Sequence, residues 1–393
     1  MISAEIAKKI VFENTQASKP DSLSLREALS HVLSENIYSI YDIPNFNQSS
    51  VDGFAFNFED WSKGITQKIC GESQAGNPNQ LNLKSGQARR IFTGAPVPEG
   101  ADTVIMQEFV KTTDGYLVFE DPEIHRGKNF RLKGSEIKKG ILALPLGTYL
   151  NAARIGFLAS IGISKVPVFL KPKISLIITG NELQKPDQPL KPAKVFESNS
   201  FALEAALLEL NFTMLDKVQV KDQLKDLKDA IYKQSQISDL LIITGGVSVG
   251  EYDFTVEALQ QLGFTCLFHK VNQRPGKPLY FGKKDNLLVF GLPGNPASVL
   301  SCFYQYIIPC LEEITQQKNI IHKIKVKLEK DYSKILPMTF FLKGLYQNEK
   351  LSFLNGQESY KLGAFSEANC FIELEEGKAN FLKGEMVPVY LLP

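Results

Sequence analysis

Leu240-Leu-Ile-Ile-Thr-Gly-Gly246 is an almost wholly apolar stretch that ends in glycine, and its string Leu-Ile-Ile-Thr-Gly is already present at residues 176–180. A third apolar run, Leu287-Leu-Val-Phe-Gly291, follows later in the chain. Between the runs, the spacing of apolar residues predicts amphipathic helices over 199–210 and 222–234. Apolar runs that alternate with helices indicate parallel strands buried on both faces. The sequence therefore predicts an α/β domain with a parallel sheet at 171–320.

The pattern changes on the amino-terminal side of this domain. Residues 1–15 predict a short amphipathic helix, and Ser24-Leu-Arg-Glu27 is a capping box that predicts a second helix running to Leu33. Residues 151–163 predict a helix that returns to these first elements. From 51 to 147, short apolar runs alternate with Gly and Pro, which is typical of a β-rich module. We expect a small mixed linker domain, discontinuous at 1–45 and 147–170, and a β-rich second domain at 46–146.

The last segment, 321–393, predicts a small all-β domain. Ile324, Val326 and Leu328 alternate with lysines, as in a half-buried strand, and further strands are predicted near 371–374 and 387–391. A length of about 70 residues is within the usual range for a domain. The predicted fold class is thus multidomain, α/β plus β, with four domains.

Composition excludes several classes of protein. The 393 residues include 44 Lys plus Arg and 43 Asp plus Glu, a net charge of +1, which argues against a general nucleic-acid binder. The four His and five Cys lack metal-ligand spacing, so we expect no zinc or iron–sulfur cluster and no secreted disulfide framework. No signal-peptide core is present, and no apolar run approaches the roughly 20 residues that span a bilayer. We expect a cytoplasmic protein without membrane or nucleic-acid partners.

Polar residues follow two of the predicted strands. The strings are Thr179-Gly-Asn-Glu182 and Thr244-Gly-Gly-Val-Ser-Val-Gly-Glu-Tyr-Asp253. Open α/β sheets bind ligands at the carboxyl ends of their strands, where glycines can expose backbone N–H groups to an anion and Ser248 adds a hydroxyl. The alternative is that Asp253 is only a helix N-cap and the glycines only turn residues, and for one junction the two readings weigh equally. The identical entry string at two junctions favours an assembled site.

A basic loop, His269-Lys-Val-Asn-Gln-Arg-Pro-Gly-Lys-Pro278, follows and contains Lys270, Arg274 and Lys277. Its two prolines stiffen the backbone, and Gly276 permits a tight turn between them. Three cations on a rigid loop suit an oxyanion or a phosphate, because little backbone order remains to be lost on binding. A solvated surface turn is the alternative interpretation. The Pro-Gly frame favours binding.

The β-rich module carries three further candidates. Asp52 lies in an otherwise apolar, turn-like string, Thr93 lies in a rigid Gly- and Pro-containing loop, and Glu136 ends the string that starts at Arg131. Taken singly, each is more often structural than catalytic, because Asp and Thr side chains commonly stabilise turns.

Seven of these strings, in the same order along the chain, resemble those of the molybdopterin molybdenumtransferases, the MoeA family that includes the gephyrin E domain. They are Ser50-Val-Asp-Gly-Phe-Ala55, Phe92-Thr-Gly-Ala-Pro-Val-Pro98, Arg131-Leu-Lys-Gly-Ser-Glu-Ile137, Thr179-Gly-Asn-Glu-Leu183, Gly245-Gly-Val-Ser-Val-Gly250 with Asp253, Arg274-Pro-Gly-Lys-Pro278 and Gly291-Leu-Pro-Gly-Asn-Pro-Ala-Ser298. The similarity covers nearly the whole chain. One such string is a weak signal, whereas seven in the family's order are highly specific.

The resemblance implies an enzyme of molybdenum cofactor biosynthesis. Its reaction would insert molybdate into adenylylated molybdopterin, release AMP and require Mg²⁺. The implied fold has a molybdopterin-binding-type α/β domain at 171–320 and a β-barrel at 321–393. The implied assembly is a homodimer whose active site lies between the α/β domain of one subunit and the β-rich domain of the other. Implied protein partners are the molybdopterin adenylyltransferase and the recipient molybdoenzymes.

The resemblance also implies roles for individual residues. The implied catalytic positions are Asp52, Thr93, Glu136, Asp222 and Asp253. The implied substrate- or molybdate-binding positions are Ser248, Lys270, Arg274, Lys277, Lys343 and Ser359. Glu182, Asp222 and Asp253 are the implied Mg²⁺ ligands, since Mg²⁺ prefers oxygen donors and keeps several waters. The cations would neutralise the oxyanion, and Mg²⁺ the charge on the departing phosphate.

The chain departs from the family's strings at several positions. Arg274 replaces a Lys, which keeps the charge but changes the donor geometry. Asn181 and Ser135 replace carboxylates, and Lys343 replaces an Arg. The family's Met-Asp-Gly-Tyr reads Val51-Asp-Gly-Phe here.

Three alternatives to a molybdate-inserting enzyme stay open. They are a non-catalytic pterin-binding scaffold, a paralogue that inserts tungstate, and the related adenylyltransferase. The adenylyltransferase shares the α/β domain, and the flanking domains argue against it.

Overall fold

The computed structural model describes residues 1–77, 82–247 and 254–393. The chain forms two compact units. The first comprises Met1–Ser22, Ser30–Ser34 and Pro167–Pro393, and the second comprises Leu23–Leu29 and Glu35–Val166. The finer division into four domains stays a prediction. No helix in the described part of the chain combines the length and the apolar character that crossing a bilayer requires.

The helices are short, and most cover the sheet of the first unit. In the described ranges they are α1 (Ala4–Asn14), α2 (Phe58–Ser62), α3 (Ala152–Ser160), α4 (Asn199–Glu209), α5 (Leu224–Ser235), α6 (Thr255–Gln261), α7 (Pro296–Cys302) and α8 (Ile308–Thr315). A π-helix, Phe303–Ile307, joins α7 to α8, and 3-10 turns lie at Gln107–Phe109 and Gly363–Phe365. The helices predicted over 151–163, 199–210 and 222–234 are confirmed as α3, α4 and α5.

The strands are also short. In chain order they are β1 (Pro20–Ser24), β2 (Val32–Leu33), β3 (Ile37–Tyr38), β4 (Gln48–Ser49), β5 (Gly53–Phe56), β6 (Gln67–Ser73), β7 (Gln87–Ile91), β8 (Thr103–Met106), β9 (Val110–Thr113), β10 (Tyr116–Phe119), β11 (Phe130–Arg131), β12 (Leu142–Leu144), β13 (Lys165–Phe169), β14 (Ile174–Thr179), β15 (Leu183–Gln184), β16 (Val195–Phe196), β17 (Met214–Val220), β18 (Leu240–Thr244), β19 (Thr265–His269), β20 (Gln273–Arg274), β21 (Tyr280–Lys284), β22 (Leu287–Leu292), β23 (His322–Lys327), β24 (Tyr332–Ser333), β25 (Thr339–Gln347), β26 (Lys350–Phe353), β27 (Cys370–Leu374), β28 (Asn380–Phe381) and β29 (Met386–Leu391).

The α/β sheet of the first unit has the order β17-β14-β18-β22-β21-β19. The first four of these strands are parallel, which confirms the parallel sheet predicted from the apolar runs. β21 pairs antiparallel with both β22 and β19, so the sheet is mixed at that edge. The two Leu-Ile-Ile-Thr-Gly strings lie side by side in β14 and β18, offset by one residue so that Ile178 pairs with Thr244. Every residue of β14, β18 and β22 is buried, as coverage of both faces requires.

Helices pack on both faces of this sheet. On one face, α1, α4, α7 and α8 bury residues that include Leu176 and Phe290. On the other, α5 and α6 bury residues that include Ile177 and Leu241. Neighbouring residues such as Leu176 and Ile177 point to opposite faces because side chains alternate along a strand.

The carboxyl-terminal part of the first unit is all-β, as predicted. Its sheet has the order β20-β25-β27-β29-β23, and β26 also pairs with β25. β23 lies against β26, which brings the ends of the sheet together as a barrel requires. β20 comes from the basic loop, because Gln273 and Arg274 pair with Thr339 and Phe340 of β25. The basic loop is therefore bonded directly to the C-terminal sheet.

The second unit is built on a mixed sheet with the order β8-β5-β7-β6-β10-β9, in which β6 and β7 are parallel. Two apolar clusters cover its faces, one including Ala55 and Val104 and the other Phe56 and Ile105. This arrangement confirms the predicted β-rich module.

The helix predicted after Ser24 is wrong. The capping box itself forms, since the Ser24 hydroxyl donates to Glu27 Oε2 at 2.6 Å and the Glu27 N–H donates to Ser24 Oγ at 3.4 Å. Residues 25–30 form only turns, and Ser30 has φ +62°, a left-handed conformation that cannot continue an α-helix. Strand β2 then pairs with β13, where Leu33 lies opposite Val168. Burial of Val32 and Leu33 in a strand outweighs the local helix signal.

Candidate functional site

Asp222 lies two residues after the end of β17 and is held by residues at the end of β14. Thr179 donates its hydroxyl to Asp222 Oδ1, and the Asn181 N–H donates to Asp222 Oδ2 at 2.8 Å. In return, the Asp222 N–H donates to Asn181 Oδ1 at 3.2 Å. Because β14 and β17 are adjacent parallel strands, their carboxyl ends bring these residues to one edge of the sheet. The Asp222 carboxylate is therefore oriented on both of its oxygens.

Sequence reasoning missed the roles of Thr179 and Asn181. The signal for Thr179 was its place at the end of the repeated apolar string. Asn181 stands where the family's string has a carboxylate, and its amide oxygen accepts from the backbone of Asp222. An amide here avoids a second negative charge beside that carboxylate.

Glu182 is exposed in the turn that follows β14. A Cβ at Gly180 would lie 3.0 Å from Glu182 Oε1, so the absence of a side chain at Gly180 leaves room for this carboxylate. Glu182 and Asp222 are the described members of the predicted metal group, and Asp253 lies outside the described residues. Within 1–77, 82–247 and 254–393, no group of three or more His, Cys, Asp or Glu residues is placed to hold a metal ion.

The second strand end is formed by Gly245 and Gly246, whose φ values are +92° and +62°. The Gly245 N–H donates to the Leu292 carbonyl at 3.0 Å, so the sheet uses this donor rather than leaving it to an anion. Thr255, at the start of α6, donates its hydroxyl to the Gly245 carbonyl at 3.0 Å and its N–H to the Gly246 carbonyl at 3.0 Å. Ser248, the predicted hydroxyl donor of this junction, lies outside the described residues.

The basic loop is closed by hydrogen bonds and packs closely on α7. The Val271 N–H donates to the Lys277 carbonyl at 2.9 Å and closes the loop at its base. Gly276 has φ +84°, and a Cβ there would lie 2.4 Å from Cys302 Sγ. Arg274 and Lys277 are exposed and Lys270 is half-buried, so the cations project from a fixed frame.

Gln273 supports this loop from inside, and sequence reasoning did not single it out. It is 1% exposed. Its amide nitrogen donates to the Gly276 carbonyl at 3.0 Å, and its amide oxygen accepts from the Tyr306 hydroxyl. The next residue, Arg274, places its guanidinium 5.7 Å from the centroid of the Phe340 ring. The loop is thus ordered by buried hydrogen bonds as well as by proline.

A line of contacts joins the strand ends to the basic loop. A Cβ at Gly245 would lie 2.4 Å from the Thr179 carbonyl, so the two strand ends are in close approach. His269 Nε2 lies 2.8 Å from the Val247 carbonyl oxygen, and since a carbonyl only accepts, Nε2 is the protonated nitrogen. His269 directly precedes Lys270. The structure therefore assembles Asp222, the glycine junction and the start of the basic loop in one compact unit.

Lys343 and Ser359 lie in the C-terminal sheet region. Lys343 is 3% exposed, and its ammonium donates to the carbonyls of Lys361 at 3.1 Å and Glu358 at 3.4 Å. Burial lowers the pKa of this lysine. Ser359 Oγ accepts from Asn295 Nδ2 at 2.9 Å, and the Ser359 carbonyl accepts from the Ala297 N–H at 3.1 Å, at the start of α7.

Lys343 therefore holds the loop that carries Ser359 against α7. A direct contact between the Lys343 ammonium and substrate stays a prediction, and in the structure this ammonium is engaged with carbonyls of the loop.

The second unit brings Asp52 and Thr93 together. The backbone N–H and the hydroxyl of Thr93 both donate to Asp52 Oδ1 at 2.7 Å. These hydrogen bonds, the backbone one first, lower the pKa of Asp52. The pair is positioned by neighbouring strands, because Asp52 precedes β5, Thr93 follows β7, and Gly53 pairs with Ile91. Glu136 is exposed and takes no part in these two bonds.

Comparison with known proteins agrees with this architecture. The family profile "MoeA N-terminal region (domain I and II)" matches residues 2–162, "Probable molybdopterin binding domain" matches 175–313, and "MoeA C-terminal region (domain IV)" matches 325–392. The molybdopterin molybdenumtransferase of Haemophilus influenzae is 35% identical, covering 95% of this chain and 94% of that protein. The one from Staphylococcus epidermidis is 33% identical, covering 99% and 95%.

A solved structure leads to the same conclusion. The crystal structure of a molybdopterin biosynthesis MoeA protein from Pyrococcus horikosii superposes with a TM-score of 0.85 at 30% identity, covering 100% of this chain and 99% of that one. Sequence and fold therefore agree along the whole chain, and the chain belongs to the MoeA family, the molybdopterin molybdenumtransferases.

Proposed function

We propose that this chain inserts molybdate into adenylylated molybdopterin in the cytoplasm and releases AMP, as a step of molybdenum cofactor biosynthesis. The type of reaction is inferred from the family to which the chain belongs. The observation that supports the chemistry is the line of contacts from Asp222 through Gly245 to His269 and the basic loop. It places an oriented carboxylate and a rigid cationic loop in one compact unit, where a charged phosphoester and an oxyanion would both need partners.

The basic loop would bind the anions. Lys277 offers a compact ammonium, whereas Arg274 offers a planar fork that can bind an oxyanion through two parallel hydrogen bonds. Because the Gln273 hydrogen bonds already order the loop, binding costs little further backbone entropy. Positive charge held in place before the reaction stabilises negative charge as it develops on the leaving phosphate.

The donor set fits Mg²⁺. Glu182 and Asp222 offer carboxylate oxygens at one edge of the sheet, and each Asp222 oxygen accepts one hydrogen bond that leaves further lone pairs. Mg²⁺ is commonly bound through one or two carboxylates and keeps several waters, so two described carboxylates suffice. A bound Mg²⁺ would neutralise charge on the phosphate that departs with AMP. Asp253 would be a third ligand.

We propose that the site is completed by a second subunit. Asp52, Thr93 and Glu136 would come from the β-rich module of the partner in a homodimer, with Ser359 from the same chain as the basic loop. The functional partners would be the adenylyltransferase that supplies the adenylylated pterin and the molybdoenzymes that receive the finished cofactor.

The test is direct assay of the reaction. The purified protein is incubated with adenylylated molybdopterin, molybdate and Mg²⁺, and both AMP release and reconstitution of a cofactor-free molybdoenzyme are measured. Lys277→Ala should lower turnover at least about tenfold, equal to roughly 1.4 kcal/mol of barrier. Lys325→Ala is the control, because Lys325 is exposed on β23, away from the basic loop in sequence. Folded protein that binds the pterin but releases no AMP would instead be a scaffold, and tungstate in place of molybdate tests the choice of oxyanion.

A further inference from the structure

Arg89 is a buried arginine of the second unit that takes no part in the candidate site. It lies in the middle of β7 and is 7% exposed. Its Nη2 donates to the Glu72 carbonyl of β6 at 2.9 Å. Its Nε and Nη1 are buried and have no hydrogen-bond partner among the described residues. Buried donors in folded proteins normally have a partner, so these two atoms point to a bound group.

The positive charge of Arg89 is also uncompensated. A guanidinium stays protonated in proteins, so loss of a proton cannot relieve the cost of its burial. In the parts of the chain that the structure describes, no carboxylate forms an ion pair with it. The face of β7 on which it lies is otherwise apolar, with Ala55 of β5 opposite it and Ile91 two residues further along. A buried charge without a partner in such surroundings is destabilising.

A second unpartnered donor, the Ser73 hydroxyl, lies on the same face. Ser73 is 5% exposed, and within the described ranges its Oγ has no hydrogen-bond partner. It pairs with Ile91 in the parallel β6–β7 ladder, and Ile91 shares a face with Arg89 because side chains alternate along a strand. Ser73 also follows Glu72, whose carbonyl accepts from Arg89. The hydroxyl and the guanidinium therefore lie at one place on the β6–β7 pair.

Cys70 of β6 lies near Arg89 but does not neutralise it. Burial raises the pKa of the Cys70 thiol, although the charge of Arg89 opposes the rise. The thiol is therefore protonated near neutral pH, and a protonated thiol is only a weak hydrogen-bond acceptor. The described surroundings of Arg89 thus supply a carbonyl and a hydroxyl but no negative charge.

An anion satisfies these groups better than a water molecule does. Water can accept the hydrogen bonds, but it leaves the charge of Arg89 uncompensated, whereas an anion accepts the bonds and balances the charge. One guanidinium beside a neutral hydroxyl balances a single negative charge, so a divalent oxyanion would leave an excess charge buried. The donor atoms are sealed from solvent, which favours a small ion.

We propose that Arg89 and Ser73 bind a small monovalent anion, of the class to which chloride belongs, at the β6–β7 pair. This inference is independent of the proposed function. The anion would stabilise the two strands that lead to Thr93, because the Phe92 N–H, next to Thr93, donates to the Ser73 carbonyl at 3.2 Å.

The anion is tested through the stability of the full chain. The protein is transferred to potassium gluconate, whose anion is too large for a sealed site, and chloride then replaces gluconate at constant ionic strength. The thermal midpoint of wild type should rise with chloride, because a ligand that binds only the folded state stabilises it. Arg89→Met should show no such rise. In gluconate it should be at least as stable as wild type, because it removes an uncompensated buried charge.

Arg90→Met is the matched control, because Arg90 is the next residue of the same strand and is exposed. It should keep the chloride dependence of wild type. No chloride-dependent rise in wild type, or an equal rise in Arg89→Met, would overturn the inference.

Two further arms test the hydroxyl and the charge of the ion. Ser73→Ala should keep the rise but require several-fold more chloride, since one donor is lost while the guanidinium remains. Sulfate at the same ionic strength should give no rise that depends on Arg89. A rise with sulfate that exceeds the rise with chloride and disappears in Arg89→Met would overturn the assignment to a monovalent ion.

Bromide, an analogue of chloride, locates the ion directly. Crystals of the full chain soaked in bromide should show an anomalous-scattering peak within hydrogen-bond distance of the Arg89 guanidinium and Ser73 Oγ, and crystals of Arg89→Met should not. A water molecule there without a peak, or a peak that persists in Arg89→Met as an adventitious ion only, would contradict the proposed site.

Discussion

Asp222 and Asp52 are held in the same way, although they belong to different compact units. Each carboxylate accepts a hydrogen bond from a threonine hydroxyl. For Asp222 the donor is Thr179, on the neighbouring strand, and for Asp52 it is Thr93, just after the neighbouring strand. Each also accepts a backbone N–H, from Asn181 or from Thr93 itself. Hydrogen bonds to a carboxylate are stronger than those between neutral groups, so both acids are fixed in orientation. For Asp52 the two bonds from Thr93 also lower the pKa of the carboxyl group.

The Thr93 bonds predict a pH effect. Thr93→Val removes the hydroxyl donor and keeps the N–H, so the pKa of Asp52 should rise toward its ordinary value. A higher pKa means that the carboxylate is lost at a higher pH as the solution is acidified. The acid limb of the pH profile for AMP release should therefore move to higher pH, while Thr113→Val, on exposed β9, should leave it in place. If the acid limbs of Thr93→Val and wild type lie at the same pH, ionisation of Asp52 does not limit AMP release.

At the scale of elements, the ends of β14 and β18 approach each other closely at Gly245, where there is no room for a side chain. Gly245 has φ +92°, and a Cβ there would lie 2.4 Å from the Thr179 carbonyl. Gly263, after α6, has a similar φ of +82°, but a Cβ there would meet nothing within 4 Å. Both glycines have a positive φ, but only Gly245 has a close neighbour. Comparing them therefore separates the free-energy cost of a side chain at positive φ from the cost of a steric clash.

Alanine substitution measures these two costs. Gly263→Ala should lower the free energy of unfolding by about 1 kcal/mol, because a non-glycine residue is strained at positive φ. Gly245→Ala should lower it by clearly more, since the strands must also move apart. Urea denaturation of both variants gives the comparison, and equal losses would show that the close approach costs nothing.

Helix α1 is tied to three other elements through Lys8. The Lys8 ammonium donates to Gln305 Oε1 of the π-helix at 2.8 Å and to the Tyr390 hydroxyl of β29 at 3.0 Å. It also lies 3.7 Å from the Glu373 carboxylate. Burial lowers the pKa of Lys8 from 10.5 to about 8, although Glu373 opposes the shift.

This shift predicts how stability changes at alkaline pH. Between about 8 and 10.5 the unfolded chain holds the Lys8 proton more tightly than the folded chain does, so raising the pH favours folding through this group. Wild type should therefore gain stability relative to Lys8→Met across that window. Lys9→Met, on the exposed side of the same helix, should show a constant difference from wild type. Denaturation midpoints at several pH values measure both, and a constant difference for Lys8→Met would contradict the assignment.

For the whole molecule, the candidate groups are divided between the two compact units. Asp52 and Thr93 lie in the second unit, while Asp222 and Lys277 lie in the first. If one site takes the first group from one subunit and the second from its partner, each of the two groups can be inactivated in a separate chain.

Mixed dimers test this sharing. Asp52→Asn and Lys277→Ala should each lose most of their activity alone. Random exchange of subunits between them should restore about one quarter of wild-type activity, because half the dimers are mixed and each of these has one intact site of two. The measurement is AMP release after subunit exchange. A mixture as inactive as its components would place all groups of a site within one chain.

Several features followed from local sequence patterns. The apolar runs at 174–180, 240–246 and 287–291 predicted parallel strands correctly, because a strand buried on both faces needs apolar residues throughout. The capping box at Ser24 predicted a helix wrongly. Its local hydrogen bonds do form, but Leu33 is buried in a strand instead of a helix. A local signal decides structure only where burial does not oppose it.

By itself, the sequence determined the order of the α/β and β-rich regions, the parallel strands and the family, since these depend on composition and spacing along the chain. Only the tertiary structure decided that Thr179 and Asn181 orient Asp222, that Gln273 supports the basic loop, and that Lys343 is engaged with carbonyls of the 358–361 loop. These facts depend on which strand ends become neighbours and which side chains lose water. Such contacts join residues that are far apart in the chain, so no local pattern encodes them.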